Sequence, residues 1–150
     1  MYLTAQEFID RYTQREALLL TAEGNSTTVD TVRLERGLAD ASSMVDGYLA
    51  RRFQLPLMSV ATLQPVVPDV IKRLTGDIAR YLLTGTHVRE TDAIRNRYND
   101  AIKQLDHIAN GTVSMGVELV LMSSPSAPTG GASAVRSGGR AFGDDVLAGM

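Results

Sequence analysis

The residues whose types suit catalysis or metal binding are few and scattered. The two histidines are His87, just past a predicted helix end, and His107, on a helix, and no HExxH pattern joins them. A surface or helix-capping role fits each better than proton transfer. Ser42 and Ser43 have no histidine at a recognisable spacing, so no nucleophile with its base can be assembled. The run Glu23-Gly24-Asn25-Ser26-Thr27 alternates oxygen donors as a calcium loop does. It lacks both the DxDxDG order and the closing glutamate that such a loop needs. The glycine-rich SGGRAFG at residues 137–143 has no preceding strand, no GK[ST] and no helix to present backbone N–H groups to a phosphate. Without cysteine there is neither a disulfide nor a thiolate metal site. The expectation is a protein that is not an enzyme, with no cofactor and no metal.

The basic residues form a second candidate group. Arg51-Arg52, Lys72-Arg73 and the set Arg89, Arg95 and Arg97 are interleaved with Asp46, Asp69, Asp77, Glu90, Asp92 and Asp100. Such interleaving describes a salt-bridged, solvated surface. Sequence-specific DNA reading needs a recognition helix with clustered basic residues, and none is evident. Non-specific proximity to DNA requires folding or oligomerisation to bring those arginines together. A net charge of −2 supplies no bulk attraction to nucleic acid or to an anionic membrane. The N-terminus lacks the layout of a signal peptide, and no apolar run approaches the roughly 20 residues of a membrane span. Cytosolic synthesis is the expectation.

The elements that must position these residues are helical. Thr4 and Glu7 form a capping box ahead of Phe8, Ile9 and Tyr12, and a second short helical piece runs over about 14–20. The polar segment 21–30 is a loop with Gly24 and Asn25 as turn residues. Asp30 caps a helix of about 20 residues in which Leu34, Leu38, Ala41, Val45, Tyr48 and Leu49 recur at helical steps. It should end near Arg52 or Phe53, before a connection made extended by Pro56, Pro65 and Pro68. A further helix opens at Pro68 or Asp69 and stops at Thr84-Gly85. Its apolar arc of Val70, Ile71, Leu74, Ile78, Tyr81 and Leu82 is wide enough for the centre of the core. The last helix spans about 91–110 on a stripe of Ile94, Tyr98, Ile102, Leu105 and Ile108, with Gly111 as its C-terminal cap.

After Gly111 the period falls to two. Val113, Met115, Val117, Leu119 and Leu121 alternate with Ser114, Gly116 and Glu118, the pattern of a strand with one buried face. In a helical chain that strand has no intramolecular partner, so it is expected to lie along the helices or to pair with another subunit. Residues 123–150 hold six of the thirteen glycines and cannot bury a core. They nevertheless close on Arg140, Phe142, Val146, Leu147 and Met150, the composition of an arm that docks on a partner. The fold class is therefore all-α: a bundle of about four helices in residues 1–122 with a terminal extended strand, then a docking arm over 123–150.

Four stretches carry a resemblance. They are Leu38-Ala39-Asp40-Ala41 through Val45-Asp46-Gly47-Tyr48-Leu49 to Arg52-Phe53 and Leu55-Pro56-Leu57; Asp77-Ile78-Ala79-Arg80-Tyr81-Leu82; Arg97-Tyr98 with Ala101-Ile102; and Ser137-Gly138-Gly139-Arg140 with Phe142. Together they make the chain, from Tyr2 into the tail, resemble the head–tail adaptor, or connector, family of Mu-like long-tailed phages and prophages. Relatives carry a more acidic turn where this chain has EGNSTT, which removes support for ion binding there. The resemblance implies an all-α adaptor forming a homo-oligomeric ring of twelve copies below the portal protein. It implies a channel through which viral DNA passes without sequence-specific binding. It implies a stopper or tail-terminator protein as the next partner, and a virion location after assembly in the host cytoplasm. The arm of related adaptors reaches the portal or neighbouring subunits. The alternatives are a non-enzymatic helical DNA-binding or regulatory protein, and an enzyme with an unrecognised site.

Overall fold

A computed structural model describes residues 1–24, 26–85 and 90–122. Among them run five helices: α1 (Ala5–Tyr12), α2 (Gln14–Thr21), α3 (Thr31–Leu49), α4 (Asp69–Thr84) and α5 (Asp92–Ala109). The two short pieces expected ahead of the 21–30 loop form as α1 and α2, separated by Thr13 at φ 82°, so the helices number five where the fold class counted about four. Its hydroxyl then accepts from the Glu16 N–H and caps α2. Asp30 caps α3 and Thr91 caps α5, each through a side-chain oxygen on the first turn. Gly85 ends α4 in the left-handed conformation at φ 57°, which glycine adopts without a Cβ clash. α3 stops at Leu49, earlier than its apolar pattern suggests, although the Phe53 N–H still donates to the Leu49 carbonyl.

α4 is the central element, packed along α3 on one side and α5 on the other, with α1 and α2 laid across the bundle. Ile71, Leu74, Ile78 and Ala79 on α4 are fully buried against Leu34, Leu38, Ala41, Val45 and Leu49 on α3 and Leu105 and Ile108 on α5. Full burial of each large aliphatic side chain contributes about 1.5–3 kcal/mol. Phe8 and Tyr12 on α1 and Leu20 on α2 close the core from above. Two glycines permit the close approach of these helices. A Cβ at Gly37 would lie 2.7 Å from Leu83, and one at Gly76 would lie 2.6 Å from the Tyr12 hydroxyl.

The capping box forms as the sequence predicts, and the fold adds a partner to it. Glu7 accepts from the Thr4 N–H at 2.9 Å and from Lys72 Nζ on α4 at 2.5 Å. The Lys72 hydrogen bond, followed by the Thr4 backbone bond, lowers the Glu7 carboxyl from 4.5 to about 2. A depressed folded value means the contribution is complete above the unfolded value and is lost as pH falls toward the folded one. The Glu7 side chain is 40 % exposed, so solvent screening holds the effect below about 1 kcal/mol. Urea midpoints should therefore decline between about pH 5 and about pH 2, and Glu7→Gln should flatten that part of the acid limb while lowering the plateau at neutral pH.

The predicted strand over 113–121 does not form as such. Gly116, at φ 76°, bends the chain in the middle of the alternating run. Only Leu119 is buried, at 5 % exposure, while Val113, Val117 and Leu121 remain at 37 %, 38 % and 52 %. Nor is the segment without an intramolecular partner. Leu119 bridges Ser59 and Leu121 bridges Phe53, both antiparallel, on the connection between α3 and α4. The connection, expected to be extended, bends at Leu55 and Pro56 and turns back at 60–62, with Met58 bridging Pro65, and its residues 52–60 supply the partner that periodicity alone does not reveal.

Candidate assembly surface

The pairing of 118–122 with 52–60 uses alternate residues. Gln54 N–H donates to the Val120 carbonyl at 3.1 Å, Val120 N–H to Met58 at 3.0 Å, Val60 N–H to Glu118 at 2.9 Å and Met122 N–H to Arg52 at 2.8 Å. In antiparallel pairing this pattern makes Leu119 and Leu121 the non-hydrogen-bonded positions, with their own N–H and C=O groups turned to the opposite edge. Those groups, and the Val117 N–H, find no partner among the described residues. The result is a short, open strand edge. Val117, Leu121 and Met122 are exposed on the segment that carries this edge, and Val60 and Leu63 are exposed on the connection at its paired side. Val60 and Leu63 were not legible as surface residues from the sequence, because they sit in a connection without periodicity. The anchors predicted in the arm, Arg140, Phe142, Val146, Leu147 and Met150, lie outside the described residues, as do His87 and Arg89.

The groups with chemical potential are tied into the packing. Tyr12 Oη donates to Asp77 Oδ1 at 3.1 Å, and Arg80 stacks over the Tyr12 ring at 4.8 Å. Arg80 Nε donates to Glu16 Oε1 at 2.6 Å, and its Nη1 lies 3.7 Å from Asp77 Oδ1. Burial, reinforced by the adjacent Asp77 carboxylate, pushes the Tyr12 phenol well above its ordinary range. A phenol held protonated against a carboxylate that also serves two arginines acts as a lock between α1, α2 and α4 rather than as a proton donor to a ligand.

The remaining candidates behave as solvated structure. Glu23, in the loop of alternating oxygen donors, pairs with Arg33 at 2.8 Å, and Asn25 lies outside the described residues. No group of three or more metal-ligating side chains gathers among the described residues. His107 occupies the exposed last turn of α5, where a basic residue suits the helix dipole. Arg51 pairs with Asp106 at 3.3 Å and Arg95 with Glu90 at 2.6 Å, as the interleaving of charges predicts. Among the described residues no helix is long and apolar enough to cross a membrane.

Fold and surface define a small all-α domain whose unmatched features are an open strand edge and exposed apolar side chains. Comparison with known proteins supplies the family. Residues 2–135 match the family model described as Bacteriophage Mu, Gp36, and the chain belongs to this family of Mu-like phage proteins. It is 34% identical over 128 residues to Gene product J of Escherichia phage Mu, covering 83% of this chain and 82% of that protein. It is 32% identical over 117 residues to the Mu-like prophage FluMu protein gp36 of Haemophilus influenzae, covering 78% of this chain and 77% of that one.

Proposed function

We propose that this phage protein is a structural head–tail adaptor. In this reading it forms a ring below the portal, extends the DNA channel and receives the next neck or tail protein. The carrying observation is the open edge at 117–121, with Val117, Leu121 and Met122 exposed along it. An unpaired edge with apolar flanks is a liability in a free monomer and an asset in an assembly, where an extended segment of a neighbour completes the ladder. Val113, Met115, Val117, Leu119 and Leu121 are then the intersubunit segment, and the arm anchors are the reach toward the portal or the adjacent copy. A ring also presents many arms at once, so weak individual contacts add through multivalency.

The test is the size of the purified chain alone and with portal rings. The adaptor reading expects a species near the mass of one chain in isolation and a discrete, ring-shaped complex on the portal by electron microscopy. Absence of any complex with the portal at concentrations well above those of typical phage neck contacts would sink it.

A further inference from the structure

The fold collects arginines that the sequence keeps far apart. A cavity of about 300 Å³ opens where α1, α4 and α5 meet, and Arg11, Arg73 and Arg97 line it, one from each helix. Buried Tyr12 and Asp77 supply part of its wall, with Asp100 and Gln104 on the α5 side. Among the described residues most basic side chains elsewhere have an acidic partner: Arg33 with Glu23, Lys72 with Glu7, Arg80 with Glu16, Arg51 with Asp106 and Arg95 with Glu90. The side chains of Arg11 and Arg97 have, among the described residues, neither an acidic partner nor a hydrogen bond. Arg15, Arg36 and Arg52 also lack an acidic partner, but they do not line this cavity.

The carboxylates on the cavity are already engaged. Asp77 is shared by Tyr12 at 3.1 Å, Arg80 at 3.7 Å and Arg73 at 3.9 Å, and Asp100 lies 4.0 Å from Lys103. Arg73 also donates to Gln104 at 2.7 Å, which holds one guanidinium at the cavity. The local balance is thus cationic within a chain of net charge −2. Guanidinium groups present planar, forked donors that match the oxygens of a phosphate.

We propose that Arg11, Arg73 and Arg97 form a phosphate-binding site, and that in the ring this face of α1, α4 and α5 meets the backbone of the DNA in the channel. The choice of DNA as the source of phosphate rests on the adaptor reading; the site itself does not. Such contacts position the duplex without reading its sequence, and neutralising backbone charges makes the affinity fall steeply with salt.

The experiment uses the full chain, with fluorescence anisotropy of a labelled duplex and calorimetric titration of inorganic phosphate, each over a range of salt. The double variant Arg11→Gln/Arg97→Gln should weaken duplex binding at least ~tenfold at low salt and reduce the salt slope by about 2. Arg36→Gln, an unpaired arginine on α3, should leave both unchanged. Loss of duplex binding in the double variant identifies the nucleic-acid backbone as the ligand source, and loss of inorganic phosphate binding alone identifies free phosphate. Wild-type affinity of the double variant for both overturns the site. Complex formation with the portal is measured on the same variant, so a failed adaptor reading is seen separately from a failed phosphate site.

Discussion

Replacing Asp77 with alanine will cost the protein about 3–5 kcal/mol, the largest loss expected from any single polar change in the body. The reason is what it leaves behind. Asp77 is 5 % exposed, and the Arg80 side chain beside it is 12 % exposed. Without the carboxylate, Tyr12 keeps only the longer bond to the Arg73 carbonyl at 3.4 Å, and Arg80 keeps only Glu16 as a counter-charge. Arg80 Nη1 already lacks a hydrogen-bond partner in the intact fold, so no spare acceptor stands ready to absorb the loss. A buried ion pair adds little relative to well-packed apolar residues, but half of one is expensive. Asp77→Asn should therefore cost less than Asp77→Ala, because the amide oxygen still accepts from Tyr12. Adding Arg80→Met to Asp77→Ala should recover part of the loss, and the coupling in that double-mutant cycle measures the pair. Urea unfolding provides the readout. A cost below about 1 kcal/mol for Asp77→Ala would show that α1, α2 and α4 are not locked through this carboxylate.

Deleting residues 123–150 should change assembly without changing the body. Among the described residues, every member of the buried core lies between Leu3 and Leu119, and the truncated chain retains all of these. Its unfolding free energy should match that of the full chain within about 0.5 kcal/mol, the range typical of changes away from the packed interior. Attachment to portal-bearing capsids should be lost, because Arg140, Phe142, Val146, Leu147 and Met150 go with the deletion. Sedimentation of capsids with the bound chain reads this directly. Normal attachment by the truncated protein removes the arm from the mechanism and leaves the 117–121 edge as the surface to examine. A truncated protein that unfolds at lower urea would instead show that the arm contributes to the body.

The two expected results separate the features that hold the domain together from those that connect it to others. The Tyr12–Asp77–Arg80–Glu16 cluster ties α1, α2 and α4 together. The open edge, the exposed apolar residues around it and the arginine-lined cavity contribute little to the fold of one chain. An assembly component needs this division, since its contact surfaces must survive in a free subunit before partners cover them.

Helix boundaries, caps and the core stripe were legible in the sequence because their causes are local. Thr4, Asp30 and Thr91 each cap through an oxygen three residues from the N–H group it satisfies, and Gly85 stops α4 by its own backbone freedom. The apolar step of three and four residues put Leu34, Leu38, Ala41, Val45, Ile71, Leu74, Ile78, Leu105 and Ile108 inside, as found. What periodicity could not supply was any pairing across the fold. The alternating run after Gly111 looked like a strand in need of another subunit, because the sequence does not say that residues 52–60 return beside it. The interleaved charges looked evenly neutralised, because spacing along the chain does not say that Arg11, Arg73 and Arg97 line one cavity. Local hydrogen bonding and side-chain period belong to a few consecutive residues, so the sequence by itself determined the helices and their buried faces. Strand partnership, the buried ion cluster and the cationic cavity depend on distances between residues remote in the chain, and only the tertiary packing of α1, α4 and α5 and of the two connecting segments decided those.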